Sequence, residues 1–274
     1  MANFSSYFSL NRVVLALTIG SFAPVAIFSA VMMTSATFVT TSACATTAME
    51  LQKEADILRE EGKSLKAIDV YNQAIVRYQE DKDYSNMMGA LTGRLLSWKH
   101  LFYKTEDKIY AIFVKKEAEE ILEIAEEHNL LNRLYLIHFL NGTSAILLKD
   151  YSSAEIEFKK AVELYPFENA EKGDWIAHLG DAMYRNGKKE EGRNTILQGV
   201  SLIREGSPQI DSFLFNVWVS GAYLRLAKLL KTDNLEESQF FLNQAKEIIY
   251  SDNRLVIRKQ QLDAFMKNLG MTQI

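Results

Sequence analysis

The chain has 274 residues, 48% hydrophobic and 24% charged, a balance that excludes a mostly disordered polymer. Thirteen glycines and three prolines exclude collagen, and a single cysteine excludes a disulfide framework or a multi-cysteine zinc site within the chain. The formal net charge of −4 argues against a dedicated nucleic-acid binder, which carries a basic surface.

Charge is distributed unevenly along the chain. Arg12 is the only charged residue before Glu50, and residues 50–274 carry all 35 acids. Residues 13–33 are mostly apolar, and 21 residues of helix would span about 31 Å, close to the ~30 Å hydrocarbon core of a bilayer. Residues 1–33 therefore read as an N-terminal hydrophobic helix, and residues 34–48 as a linker rich in Thr, Ser and Ala. Three readings stand open. The segment is a retained single-pass anchor with Arg12 on the inner side. Or it is a signal cleaved after Ala43-Cys44-Ala45, giving a secreted or periplasmic chain. Or Cys44 is lipidated. Ala45 and Cys44 thus mark a possible processing site, and each reading puts residues 50–274 on the non-cytoplasmic side.

Beyond Ala48 the pattern becomes long amphipathic stretches. Leu51, Ala55 and Leu58 share one helical face, as do Ile68, Tyr71, Ala74 and Tyr78, and Gly62 supplies the turn between them. A hairpin of this kind cannot bury both faces alone, which calls for repetition. A triplet of small residue, larger residue four later and small residue three after that recurs. It stands at Ala67-Tyr71-Ala74, Ala118-Leu122-Ala125, Ala154-Phe158-Ala161, Gly192-Ile196-Gly199 and Ser238-Leu242-Ala245. Small residues at those places let antiparallel helices approach closely. Residues 254–274 begin with one more amphipathic helix, in which Leu255, Leu262, Phe265 and Met266 face the last hairpin and basic and polar residues cover the outside; Gly270 would end it.

Leu51, Ala55, Leu58, Gly62, Ala67, Tyr71 and Ala74 in the first copy resemble the tetratricopeptide repeat family. So do Gly142, Ala145, Tyr151, Ala154, Phe158, Ala161 and Pro166 in the third, and Ile176, Leu179, Gly180, Tyr184 and Gly187 in the fourth. The second copy (84–128) and the fifth (209–250) diverge, and the 34-residue period is not kept. The resemblance implies an all-α fold, with antiparallel hairpins stacked as an α-solenoid over 49–253 and a capping helix at 254–274.

It also implies a concave groove, lined by the first helix of each hairpin, that holds a protein or peptide partner. Carried over residue by residue, the groove presents Gln52, Asp56 and Arg59; Leu136, Phe139, Thr143 and Ile146; Asp174, Ala177, Asp181, Tyr184 and Arg185; and Ser220, Tyr223, Ala227 and Leu230. Arg59, Phe139, Asp181, Tyr184, Arg185 and Tyr223 are the candidate contacts, since Tyr and Arg dominate interface energetics. A cluster of cations able to clamp a carboxylate is not expected, because only isolated arginines fall at these positions.

Catalytic motifs are missing from the sequence. His100, His128, His138 and His178 form no HExxH pair, and no GxSxG, Walker loop or Rossmann glycine fingerprint occurs. The run Lys115 to Glu120 reads as an exposed helix held by ion pairs about four residues apart. The expectation is a membrane-anchored scaffold without catalysis, metal or cofactor that binds a protein or peptide and no nucleic acid. The alternative is a secreted or lipid-anchored protein that binds a solute or glycan in a closed pocket walled by aromatics such as Trp98, Trp175 and Trp218.

Overall fold

The computed structural model describes residues 46–269. The expectations for residues 13–33, for Cys44 and Ala45, and for Gly270 lie outside the described residues. Among the described residues the chain is all-helical, with eleven α-helices, two short 3-10 turns and no strand. No described helix is long and apolar enough to cross a membrane.

The helices are α1 (Ala48–Glu60), α2 (Ser64–Glu80), α3 (Tyr84–Thr105), α4 (Lys108–Glu127), α5 (Leu134–Leu147), α6 (Tyr151–Leu164), α7 (Ala170–Arg185), α8 (Lys189–Glu205), α9 (Ser212–Leu230), α10 (Leu235–Ser251) and α11 (Val256–Asn268). Side-chain acceptors begin most of them. Thr47 accepts from the Glu50 amide while Glu50 reaches back to the Thr47 amide at 2.9 Å, a capping box. Asp83, Asp107, Asp150, Asn169, Asp211 and Asn234 cap α3, α4, α6, α7, α9 and α10 in the same sense. One left-handed residue ends the turn after α1, α2, α4, α5 and α7: Gly62, Lys82, Asn129, Lys149 and Gly187 respectively. In each turn the next residue's N–H bonds a carbonyl five back, as Lys63 does to Leu58 at 2.9 Å.

The most extensive packing joins α1 to α2, α3 to α4, α5 to α6, α7 to α8 and α9 to α10. Short turns between partners in such contact make each pair an antiparallel hairpin. All five sequence triplets fall on the second helix of a pair, and their outer small residues are buried against the first. At Gly192 and Gly199 the approach is close, with a backbone atom 2.4 Å from where a Cβ would stand. A Cβ at Gly192 would stand 2.4 Å from the Tyr184 nitrogen and 2.6 Å from the Gly180 oxygen, both backbone atoms. The core continues from hairpin to hairpin. One apolar cluster spans α1 to α5, another spans α7 to α11, and Phe139, Phe158 and Trp175 bridge the two.

First helices of neighbouring hairpins touch, α1 with α3, α3 with α5 and α7 with α9, and so form an inner layer. The last helix closes this layer. α11 packs on α9 and α10 through buried Leu262, Phe265 and Met266, and it also meets α3. Gln260, Ile257 and Val256 stand within 3.6 Å of the position a Cβ would take at Gly62, in the first hairpin turn. The two ends of the described array therefore touch.

The charged run on α4 is not wholly exposed. Lys116 pairs with Glu119 at 2.6 Å on the surface, but Glu117 is buried and accepts from Arg94 Nε at 2.6 Å. Burial lifts its carboxyl to about 7, against the pull of Arg94.

Candidate binding cavity

The inner layer and α11 line a half-open cavity of about 480 Å3, within the size range of small-molecule sites. Helical spacing explains which side chains reach it. Thr92, Leu96, Lys99 and Tyr103 lie on one face of α3. Leu136, Phe139, Thr143 and Ile146 do so on α5, and Asp174, His178, Asp181 and Arg185 on α7. Val217, Gly221, Arg225 and Lys228 share a face of α9, while Arg59 of α1 and Arg258 of α11 complete the wall.

The apolar side of the cavity is aromatic. Phe139 stacks on Trp175 at 4.7 Å and meets His178 edge-on at 5.1 Å. Trp218 also lines the space; Trp98 instead packs against Phe113 at 4.9 Å, away from it.

The polar side is cationic. The lining residues include eight Lys or Arg and four Asp or Glu. Three of the arginines are already neutralised, Arg254 by Asp252 at 2.7 Å. Arg59 donates to Asp56 at 2.9 Å and to the Tyr71 hydroxyl at 2.6 Å, and Arg185 donates to Asp181 at 2.8 Å. Arg225 donates to His178 Nε2 at 2.6 Å but stands 3.8 Å from Asp174, too far for a hydrogen bond. Arg258 donates to the Val217 carbonyl at 3.1 Å and to Gln261 at 2.8 Å, both neutral acceptors. Lys99, Lys228 and Arg258 have no carboxylate within 4 Å among the described residues.

Crowding of like charge shows in the titration behaviour. Burial, then Arg225 and Arg258, push the Lys99 ammonium down to about 8. Burial, then Arg258, do the same to Lys228. Burial pushes the Asp174 carboxyl up against these cations. His100 and His178 are held well below the ordinary imidazole value by burial and by neighbouring cations. Among the described residues, His100 Nδ1, Thr143 Oγ1, Asp174 Oδ1 and Arg225 Nη1 are buried without a hydrogen-bond partner. All four belong to residues lining this cavity, where such orphans call for an explanation. No group of three or more potential metal ligands occurs among the described residues.

Of the six candidate contacts, Arg59, Phe139, Asp181 and Arg185 line the cavity. Tyr184 and Tyr223 do not. Tyr184 is buried and donates to Asp233 at 2.5 Å. Tyr223 is buried, accepts from Arg204 at 2.9 Å and stacks on Phe241. The fifth-copy positions Ser220, Tyr223, Ala227 and Leu230 are also turned away. The inward face of α9 carries Val217, Gly221, Arg225 and Lys228, one residue out of register at several places, and one residue rotates a helix by about 100°.

Cations that do not fall at the carried-over groove positions also gather at the cavity. Lys99 belongs to the second copy, whose sequence diverges from the repeat pattern that marks groove positions. Arg225 and Lys228 belong to the fifth, whose inward face differs from the carried-over positions, and Arg258 points inward although basic residues of an amphipathic helix ordinarily face solvent. The spacing of Lys99, His100 and Tyr103, and of Gly221, Arg225 and Lys228, was the available signal. No protein-family model matches the chain, and no curated protein matches it.

Proposed function

We propose that residues 46–269 form a ligand-binding domain without chemistry of its own, a tetratricopeptide-like solenoid closed by α11 around its ligand. Residues 13–33 would hold it at a membrane on the non-cytoplasmic side, or direct its export. The observation that carries this reading is the cavity. It is walled by five inner helices and α11, and both aromatics and cations without a paired carboxylate line it.

Closure selects between the two classes of ligand. A peptide lying along an open groove needs a free path past the end of the array, and the contact of Val256, Ile257 and Gln260 with the Gly62 turn obstructs that path. A small solute needs only a concave space of this size and a few placed polar groups. The solute-binding reading is therefore the one proposed, and a protein-binding scaffold is the outcome that would replace it. Thermal unfolding of the full-length chain against a set of small solutes and a set of extended peptides tests this directly. A small solute that stabilises the chain and shifts tryptophan emission, with a smaller shift in Trp218→Phe, supports the reading. Stabilisation by extended peptides alone overturns it.

A further inference from the structure

The cavity presents more positive charge than its own residues neutralise. Asp181 is committed to Arg185, and Asp174 is the one remaining carboxylate near Arg225, without a direct hydrogen bond to it. Opposite it, Lys99 from α3, Arg225 and Lys228 from α9, and Arg258 from α11 share one space. Arg225 is 15% exposed and retains a buried, unpartnered Nη1. A part-buried cation without a counter-charge is costly; among the described residues Lys99, Lys228 and Arg258 have none within 4 Å, and Arg225 has only the Asp174 carboxylate at 3.8 Å, an arrangement poor for an empty core and suitable for an anion. The lowered Lys99, Lys228 and Arg258 basicities fit the same mutual repulsion, added to burial.

The arrangement is built rather than incidental. The Arg258 guanidinium lies over Gly221. A Cβ at that position would stand 2.7 Å from Nη2, so the missing side chain leaves the room that the guanidinium occupies. The Val217 carbonyl and Gln261 fix two further edges of the same group. Phe139, stacked on Trp175, lines the same space and meets His178, the partner of Arg225.

We propose that this cavity holds a small organic dianion, a dicarboxylate or a phosphate monoester, whose charged groups lie among Lys99, Arg225, Lys228 and Arg258 and whose body packs on Phe139. The proposal rests on the cavity being a ligand site and adds the chemistry of the ligand. Two charges suit the site: a monoanion leaves most of the repulsion in place, and a neutral solute relieves none of it.

The test titrates the full-length chain with phosphate, succinate and phthalate, with dimethyl phthalate as the uncharged match. Thermal unfolding and calorimetry provide the readouts. Phthalate and either phosphate or succinate raise the unfolding temperature, and the ester does not. Affinity falls at least tenfold in Arg258→Gln and in Lys99→Gln, and stays within twofold in Lys66→Gln, an exposed position on α2. Gly221→Ala keeps every charge but displaces the Arg258 guanidinium, and weakens binding at least threefold. Lys99→Gln without ligand unfolds at or above the native temperature, since it removes a buried charge, so its loss of binding is not a loss of fold. Equal anion binding by the native chain and Arg258→Gln overturns the proposal. So does a response to neutral solutes alone, which leaves the cavity as a ligand site and removes the dianion. Binding only of peptides through a terminal carboxylate, or no response to any small solute, overturns both readings.

Discussion

Arg225 donates from Nη2 to Nε2 of His178 at 2.6 Å, tying α9 to α7 at the cavity wall. A guanidinium has donors and no acceptor, so Nε2 must offer its lone pair and the ring proton must sit on Nδ1. His178 is therefore neutral in the folded chain, as its strongly lowered basicity also requires.

This neutral ring makes stability depend on pH. Below about 6.5 the unfolded chain protonates His178 while the folded chain does not, so the unfolded state binds more protons. Its contribution is fully present above about 6.5 and is lost as pH falls, by up to about 1.4 kcal/mol per pH unit until the folded pKa is reached. His100 acts with the same sign. Glu117 and Asp174, whose carboxyls are raised, act with the opposite sign in the same window, so the His178 share is read as a difference: in urea unfolding at pH 7.5, 6.5 and 5.5 the native chain should lose stability relative to His178→Asn as pH falls. An unchanged slope in the variant would contradict the assignment.

Gly192 and Gly187 should respond to alanine for different reasons. At Gly192 the new methyl meets backbone atoms of α7 at 2.4 and 2.6 Å, which cannot turn aside. Gly192→Ala should cost about 1–3 kcal/mol, as overpacking does. At Gly187 nothing lies within 4 Å, but φ is +95°, so Gly187→Ala should cost about 1–2 kcal/mol through backbone strain alone. Denaturant midpoints for the two variants, with a crystal structure of Gly192→Ala showing α7 and α8 displaced, would check the distinction.

Lys82 offers a substitution of the opposite sign. It ends the turn after α2 at φ 57°, a conformation that a side chain disfavours and glycine accepts. Its side chain is exposed and forms no ion pair among the described residues. Lys82→Gly should raise stability by about 0.5–1 kcal/mol, less the entropy glycine adds to the unfolded chain. A lowered urea midpoint would show that the turn is held by something beyond its backbone geometry.

Leu262 reports on the closing helix. It is fully buried against the last hairpin, and truncation to alanine should cost about 2–5 kcal/mol. Because α11 also meets α3 and the Gly62 turn, the loss should reach the first hairpin. Hydrogen exchange of the amides around Gly62 should accelerate in Leu262→Ala. Protection there identical to the native chain would mean that the ends are not coupled.

The hairpins were legible in the sequence because their signals are local. Gly62 and Gly187 mark turns, and the five triplets mark buried faces through residues only three and four apart. The inward set of α9 was not legible in the same way. That helix carries Val217, Trp218, Val219, Ala222, Leu224 and Leu226 around its circumference, so periodicity gives no unique face, and only contact with α7, α10 and α11 selects one. Arg258 was illegible for a related reason. A basic residue on an amphipathic helix reads as solvent-facing unless a distant partner, here Gly221 and the Val217 carbonyl, makes a place for it.

Closure by α11 also constrains how the array could vary. An open stack of hairpins tolerates an extra copy, because each copy touches only its neighbours. In a stack whose two ends meet, one more hairpin would carry α11 past the Gly62 turn and move Arg258 away from Lys99. The number of hairpins, the width of the cavity and the convergence of its cations are thus a single geometric quantity, and none of them can change alone.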